Sequence, residues 1–276
     1  MKAFRTSTLL LSCCCLTVIW MSCNKSSTTS QTSYKLSYGD SIIYLKQTTG
    51  DYIVYPTEQK AGTYYAFPEG IQIDDITGAI NVSKSETGLR YRIYHVSPQG
   101  DTTTTLVVIS GINFTDHFFH LSLGDSIAFP VYNADISKAL PISGSNFDDG
   151  NTANSGGCSV KTTNGQINLA ETVRNGIFGS NPNDVRKEFD ISYRLNDASG
   201  KALNKLRVRL YYYNTMADVA PDLLQTLQDR SDLGVFLKAN PTVNASTIAT
   251  NARVTSVQRT ARDARPRPPC VIIVGQ

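Results

Sequence analysis

Histidine and tryptophan are scarce in this chain. Its 276 residues hold three histidines and one tryptophan, Trp20. The histidines are His95, His117 and His120, so nothing beyond His120 can supply an imidazole. That removes any hydrolase whose histidine base lies in the second half of the chain. A bilayer-spanning helix is also missing: the apolar run from Leu9 to Met21 falls short of the roughly 20 residues needed. Charge of one sign is missing too. Lys2 and Arg5 account for two of the 26 basic groups, leaving 24 against 23 acidic groups beyond residue 22. That balance gives no general attraction to nucleic acid.

What is present begins with a leader. Lys2 and Arg5 form a basic start, and the acid-free apolar run that follows ends at Ser22-Cys23. This is the layout of a secretory signal. From Asn24 to Ser33 the chain is a Ser/Thr/Gln tract, a polar tether too poor in apolar residues to fold. A small residue, a cysteine and a soluble tether together resemble a bacterial lipoprotein signal. The resemblance implies lipidation of Cys23 by palmitate-type chains, with Cys13 a lesser alternative and a plain cleaved signal another. Trp20 and Cys13, Cys14 and Cys15 then leave with the leader. Cys158 and Cys270 remain, and an oxidising envelope would allow them to pair, although sequence alone does not bring them within bridging distance.

Strand signals dominate from Tyr34 to Tyr213, and they come in pairs. Leu89, Tyr91 and Ile93 alternate with Arg90, Arg92 and Tyr94, a half-buried strand; Ser97 to Gly100 turns, and Leu106 to Ile109 returns. Phe189, Ile191, Tyr193 and Leu195 repeat the pattern, with a turn at Asp197 to Gly200 and a return through Leu206 to Leu210. Thr77-Gly78-Ala79-Ile80-Asn81 is echoed by Asn164-Gly165-Gln166-Ile167-Asn168. Leu36-Ser37-Tyr38-Gly39-Asp40-Ser41-Ile42 recurs as Leu121-Ser122-Leu123-Gly124-Asp125-Ser126-Ile127. Read as equivalent, the two seven-residue strings mark where each copy of a duplicated module begins.

The string Gly70-Ile71-Gln72-Ile73-Asp74-Asp75-Ile76-Thr77-Gly78-Ala79-Ile80 resembles the immunoglobulin-like and cadherin-like repeats of bacterial surface proteins. The resemblance implies a strand at Ile71 and Ile73, a tight turn from Asp74 to Gly78, and a strand led by Ile80. In the second copy Lys161 stands in place of the turn aspartate. The expected architecture is all-β: two tandem immunoglobulin-like β-sandwich domains with a short C-terminal helix and tail. The boundaries are 1–22 for the signal, 23–33 for the tether, 34–115 and 116–215 for the domains. A helical segment follows over 216–240, and a linker with a C-terminal strand over 241–276. Leu223, Leu224 and Leu227 give the helix its apolar face. Beyond the Arg265–Pro269 stretch, the run Cys270 to Val274 reads as a strand added to a sheet edge.

Candidate chemistry is thin. Gly39-Asp40-Ser41 and Gly124-Asp125-Ser126 look like the nucleophile motif of GDS-type esterases, but their duplication before an apolar strand reads as turn chemistry. His117 and His120 are three apart, a spacing that sends them to opposite faces of a strand. Asp74-Asp75 and Asp148-Asp149 read as solvated turn carboxylates rather than calcium ligands. Tyr211 and Tyr213 share one face of a strand and are the candidate ligand contacts. The reading is a non-enzymatic cell-envelope lipoprotein, with no cofactor or metal, acting in adhesion, scaffolding or ligand presentation. Lipoprotein style and repeat type resemble outer-membrane surface proteins of Bacteroidota. Its partners are the membrane through the lipid anchor and a protein or glycan ligand, with no nucleic acid. The alternative is a glycan-binding accessory protein of a polysaccharide-utilisation system; a hydrolase acting through Ser41 or Ser126 is the third reading.

Overall fold

The computed structural model describes residues 34–232 and 268–276. Cys23, the leader, the tether to Ser33 and residues 233–267, including the Arg-rich stretch before Pro268, lie outside the described residues. The described residues from Lys35 onward belong to one compact unit. It is strand-rich, and its three α-helices among the described residues are short.

The first repeat contains β1 (Ile42–Ile43), β2 (Ile53–Val54), β3 (Thr63–Phe67), β4 (Gln72–Ile73), β5 (Ile80–Asn81), β6 (Leu89–Val96) and β7 (Thr102–Ile109). They make two sheets, ordered β1-β7-β6-β3 and β2-β5-β4. The alternation along β6 buries Leu89, Tyr91 and Ile93 completely, as their period-two spacing requires. Tyr94, on the other face, is covered by a stacked Tyr65 ring at 4.7 Å. β1 runs parallel to β7, and every other pairing in this repeat is antiparallel.

A link, β8 (Ile112–Asn113), leads into the second repeat. That repeat contains β9 (His117–His120), β10 (Ile127–Ala128), β11 (Val131–Tyr132), β12 (Asn146–Phe147), α1 (Thr152–Ser155), β13 (Ile167–Asn168), α2 (Leu169–Arg174), β14 (Val185–Arg194) and β15 (Leu203–Tyr213). α3 (Pro221–Asp232) and β16 (Cys270–Val274) complete the chain. The second repeat's sheets are β12-β14-β15-β16-β9 and β10-β13.

The duplication extends to individual hydrogen bonds. In the first repeat Asp74 N–H donates to Ala79 O and Gly78 N–H to Asp74 O; in the second, Lys161 N–H donates to Gln166 O and Gly165 N–H to Lys161 O. Gly78 and Gly165 both hold positive φ, and a Cβ on either would lie 2.7 Å from an aromatic ring, Tyr64 or Phe147. Asn81 and Asn168 each cap the helical turn that follows, accepting from Lys84 N–H and Glu171 N–H. Ser85 and Thr172 hydroxyls then donate back to the same asparagines' carbonyls at 2.7 Å. The turn therefore survives replacement of aspartate by Lys161, because the backbone and the glycine define it. Asp74 adds only an extra cap, accepting from Ile76 N–H and from the N–H and hydroxyl of Thr77.

The seven-residue string is not part of this duplication. Ile42 begins β1, which pairs with β7, whereas Ile127 begins β10, which pairs with β13. The counterpart of β10 is β2: Ile127 faces Asn168 as Ile53 faces Asn81. Leu169 N–H donates to Ser126 O as Val82 N–H donates to Tyr52 O. Ser41 and Ser126 thus occupy different topological places. Gly39 sits in a bend, and Gly124 closes a 3-10 turn by donating to Leu121 O. Chain punctuation of the same chemistry recurred without a shared position.

The last strand corrects a second expectation. β16 is not an edge strand; it lies between β15 and β9, parallel to both. Its continuous apolar run follows from that place, since a parallel strand covered on both faces has no polar side to present. Val271 and Ile273 enter the main core of the second repeat with Ile191, Val208 and Phe147. Cys270 and Ile272 face the other way, into a cluster with Tyr213, Val219 and Leu223. α3 supplies the cover there, with Leu223 buried and Leu224 left largely exposed, so the helical face uses Leu223 and Leu227.

Candidate functional site at the junction of the repeats

A buried polar cluster joins the two repeats. β8 leaves β7 through Ser110 and Gly111 and pairs antiparallel with β11. Tyr193, the penultimate residue of β14, is 1 % exposed, and its hydroxyl reaches back into the first repeat. There it shares a 2.6 Å hydrogen bond with Thr87 Oγ1 and accepts from Ile112 N–H at 3.2 Å. Burial pushes the Tyr193 phenol upward, so it stays protonated. Gly111 must be glycine: a Cβ would lie 2.3 Å from the Tyr193 hydroxyl.

Three further side chains complete the junction. Asn113 donates through Nδ2 to Glu86 Oε1 and Thr87 O, and its Oδ1 accepts from Phe114 N–H. Asn133 Oδ1 accepts from Gly111 N–H, while Asn133 N–H donates to Gly111 O. Asp197 Oδ2 accepts from Tyr132 OH at 2.8 Å and from Ser110 Oγ at 3.4 Å. Burial, and then the Asp197 carboxylate, raise the Tyr132 phenol. Thr87, Ser110, Asn113 and Asn133 are all at most 3 % exposed, so the bonds of Thr87 to Tyr193, Asn113 to Thr87 O and Gly111 to Asn133 form away from water, while those to Glu86 and Asp197 are part-buried. The cluster positions two repeats; it presents no nucleophile with a base.

A second buried cluster fastens β16. Asp116, just before β9, accepts from Cys270 N–H at 2.7 Å and from Arg230 Nη1 at 3.0 Å. Arg230 reaches from α3 and also contacts Cys270 Sγ at 3.1 Å and Pro268 O at 3.5 Å. One ion pair therefore ties α3, β9 and the start of β16 together.

The residues singled out from sequence fall elsewhere. Tyr213 is 1 % exposed and sits beneath α3, so it has no face for a ligand. Burial, and then Asp184, push its phenol up to about 12. Tyr211 is half-buried in the same cluster, its ring 6.5 Å from that of Tyr213. The two tyrosines are packing residues because β16 and α3 cover the face they share. Cys158 and Cys270 are free thiols in separate clusters. Burial pushes the Cys158 thiol up to about 12 and raises Cys270 as well.

His117 lies 3.4 Å from Asp125 at the surface, and neither Ser41 nor Ser126 hydrogen-bonds a histidine among the described residues. Asp148 is not a solvated carboxylate. It is 3 % exposed, capping α1 by accepting from Ala153 N–H and from the N–H and amide of Asn154. Asp149 pairs with Arg194 and Asn146. Among the described residues no group of three His, Cys, Asp or Glu side chains converges as metal ligands would. No described helix is long and apolar enough to cross a membrane.

Sequence reasoning missed the junction because Tyr193 reads as one more core residue in an alternating strand. Only Gly111, two residues after an apolar strand, hinted at a close approach. No protein-family model matches this chain, and no curated protein does.

Proposed function

We propose that this chain is a non-enzymatic cell-envelope lipoprotein, held by lipidated Cys23 and acting in adhesion, scaffolding or ligand presentation. The observation that carries the reading is the junction around Tyr193. Two repeats of the same construction are joined by buried hydrogen bonds from Tyr193 to Thr87 and Ile112. Such a joint suits a spacer that holds a surface at fixed distance and orientation, since bonds in low dielectric resist bending. The finer fold reading, two immunoglobulin-like sandwiches, is supported by strand order. In each repeat a hairpin-centred sheet (β3-β6-β7-β1; β12-β14-β15) stands with a second small sheet (β4-β5-β2; β13-β10).

The anchor follows from the Ser22-Cys23 leader and its polar tether, an anchoring and not a spanning arrangement. The test is Cys23→Ala in cells. The expected outcome is release of the protein from membranes to the soluble fraction; retention in membranes overturns the lipoprotein reading. A fluorophosphonate adduct at Ser41 or Ser126 would overturn the non-enzymatic part. For the glycan-binding alternative, Tyr213 is packed beneath α3, and Tyr211, half-buried, is the tyrosine of the pair that keeps some exposure.

A further inference from the structure

We propose that β16 is an exchangeable strand: the slot between β15 and β9 accepts it equally from a second copy of this chain, joining copies through their second repeats. This goes beyond the proposed surface role and does not depend on the lipid anchor.

The argument starts from the comparison of repeats. In the first, β1 bonds directly to β7, and the sheet closes with its own strands. In the second, β9 is the counterpart of β1 and β15 of β7, yet these two do not touch as partners. β16 stands between them, with Cys270 to Val274 registered on Arg209 to Tyr213 and Val271 to Val274 on His117 to His120. The second repeat is therefore built one strand short. Without β16, two strand edges would face each other unpaired, and two apolar clusters would each lose a wall.

The missing strand carries everything the slot needs. Its five side chains are apolar and at most 1 % exposed. Its backbone pairs on both sides, and its polar fastenings include Cys270 N–H on Asp116 and Arg230 Nη1 on Cys270 Sγ. All of these partners are distant in sequence: Asp116 lies 154 residues away and Arg230 lies 40 away. Among the described residues these partners all lie far from β16 in sequence, so the docked geometry is the same whichever copy donates it.

Thirty-five residues, 233–267, separate α3 from Pro268. Covalent geometry lets that length span at most about 120 Å, ample for reaching a neighbouring molecule. Because exchange creates no new contact, the balance is set by concentration alone. A strand tethered by such a linker has an effective local concentration on the order of millimolar, so exchange needs copies crowded to about that level.

The test uses two full-length copies, one with an N-terminal tag and one with a C-terminal tag, each carrying a specific protease site within 233–267. They are unfolded together and refolded at about 1 mM, then cleaved, and the N-terminally tagged bodies are captured. The expected result is that C-terminally tagged strands come down on bodies of the other copy, approaching roughly half of all strands if exchange is random. Copies refolded separately and mixed after cleavage should show at least about tenfold less, because unfolding of the slot is slow. If co-refolded bodies hold only untagged strands from their own chain, the proposal is overturned. A body-to-body complex that lacks exchanged strands would also overturn it, by showing association through another surface.

Discussion

Tyr193→Phe removes one oxygen atom and tests whether the two repeats act as one body. The ring stays in a core position that is 1 % exposed, so packing is conserved. Two partners are affected. Thr87 Oγ1 keeps a second acceptor, Ile112 O at 3.3 Å, and is not orphaned. Ile112 N–H donates to the Tyr193 hydroxyl at 3.2 Å, and with that oxygen gone it is left buried without an acceptor. A buried unsatisfied donor costs about 1–3 kcal/mol, and the lost Thr87 bond adds about 1 kcal/mol, so the substitution should destabilise by about 2–4 kcal/mol. The assay is urea unfolding followed by tyrosine fluorescence and far-ultraviolet circular dichroism. Wild type should unfold in one transition seen alike by both probes. Combining Tyr193→Phe with Thr87→Ala should give a coupling of about 1 kcal/mol or more, since the pair is in contact across the junction. A loss below about 0.5 kcal/mol, with the two substitutions additive, would refute the joint as a structural link.

Gly165→Ala and Gly78→Ala should each cost about 2–4 kcal/mol, because positive φ and a Cβ 2.7 Å from an aromatic ring act together. Gly100→Ala, with positive φ but open space, should cost only about 1–2 kcal/mol, and equal losses across the three in thermal melts would remove the ring-contact argument. Tyr213→Ala should destabilise by about 3–5 kcal/mol, whereas Leu224→Ala on the exposed side of α3 should stay within about 0.5 kcal/mol. Fully soluble, equally stable Tyr213→Ala protein would contradict its place in the core. Arg230→Ala breaks the ion pair to Asp116 and the contacts to the start of β16, and should cost about 3 kcal/mol, with hydrogen exchange at Val271 to Val274 accelerated first. For pH, Thr77 N–H donation holds Asp74 below the usual carboxylate range, and Arg207 does the same for Asp190. A depressed native value adds stability above the unfolded carboxylate range of about 4, and that stability is lost as pH falls through the native values. The urea midpoint should therefore drop below about pH 4; a midpoint that is flat or rises from pH 5 to 2 would reverse the sign.

The parts legible in the sequence were those fixed by local rules. The hairpins β6–β7 and β14–β15 were read from alternation, and the structure pairs Leu89 with Ile109 and Ile191 with Leu206 accordingly. The Gly78 and Gly165 turns were read as equivalent, and their hydrogen bonds are. What failed was equivalence inferred from residue identity alone. Leu-Ser-x-Gly-Asp-Ser-Ile satisfies the same local demand twice, polar turn into apolar strand, and such a demand arises before any strand. Nothing in seven residues says which strand follows, because pairing partners lie elsewhere in the chain. Tyr211 and Tyr213 failed for a related reason: their burial is decided by β16 and α3, elements far along the sequence.

β16 shows how pattern and position come apart. Four consecutive β-branched residues, Val271 to Val274, name a strand without stating how many neighbours it has. An edge strand of a one-sided sheet would alternate; a run with no polar residue demands cover on both faces. That demand was written in the sequence, and the two apolar clusters on either side of β16 meet it; the strands that flank it were not. The second repeat supplies the place between two strands only because β9 stands one strand further from β15 than β1 does from β7. The surplus strand and the widened sheet require each other. A chain that carried either alone would expose a five-residue apolar segment or a pair of open edges, both of which favour association with another copy.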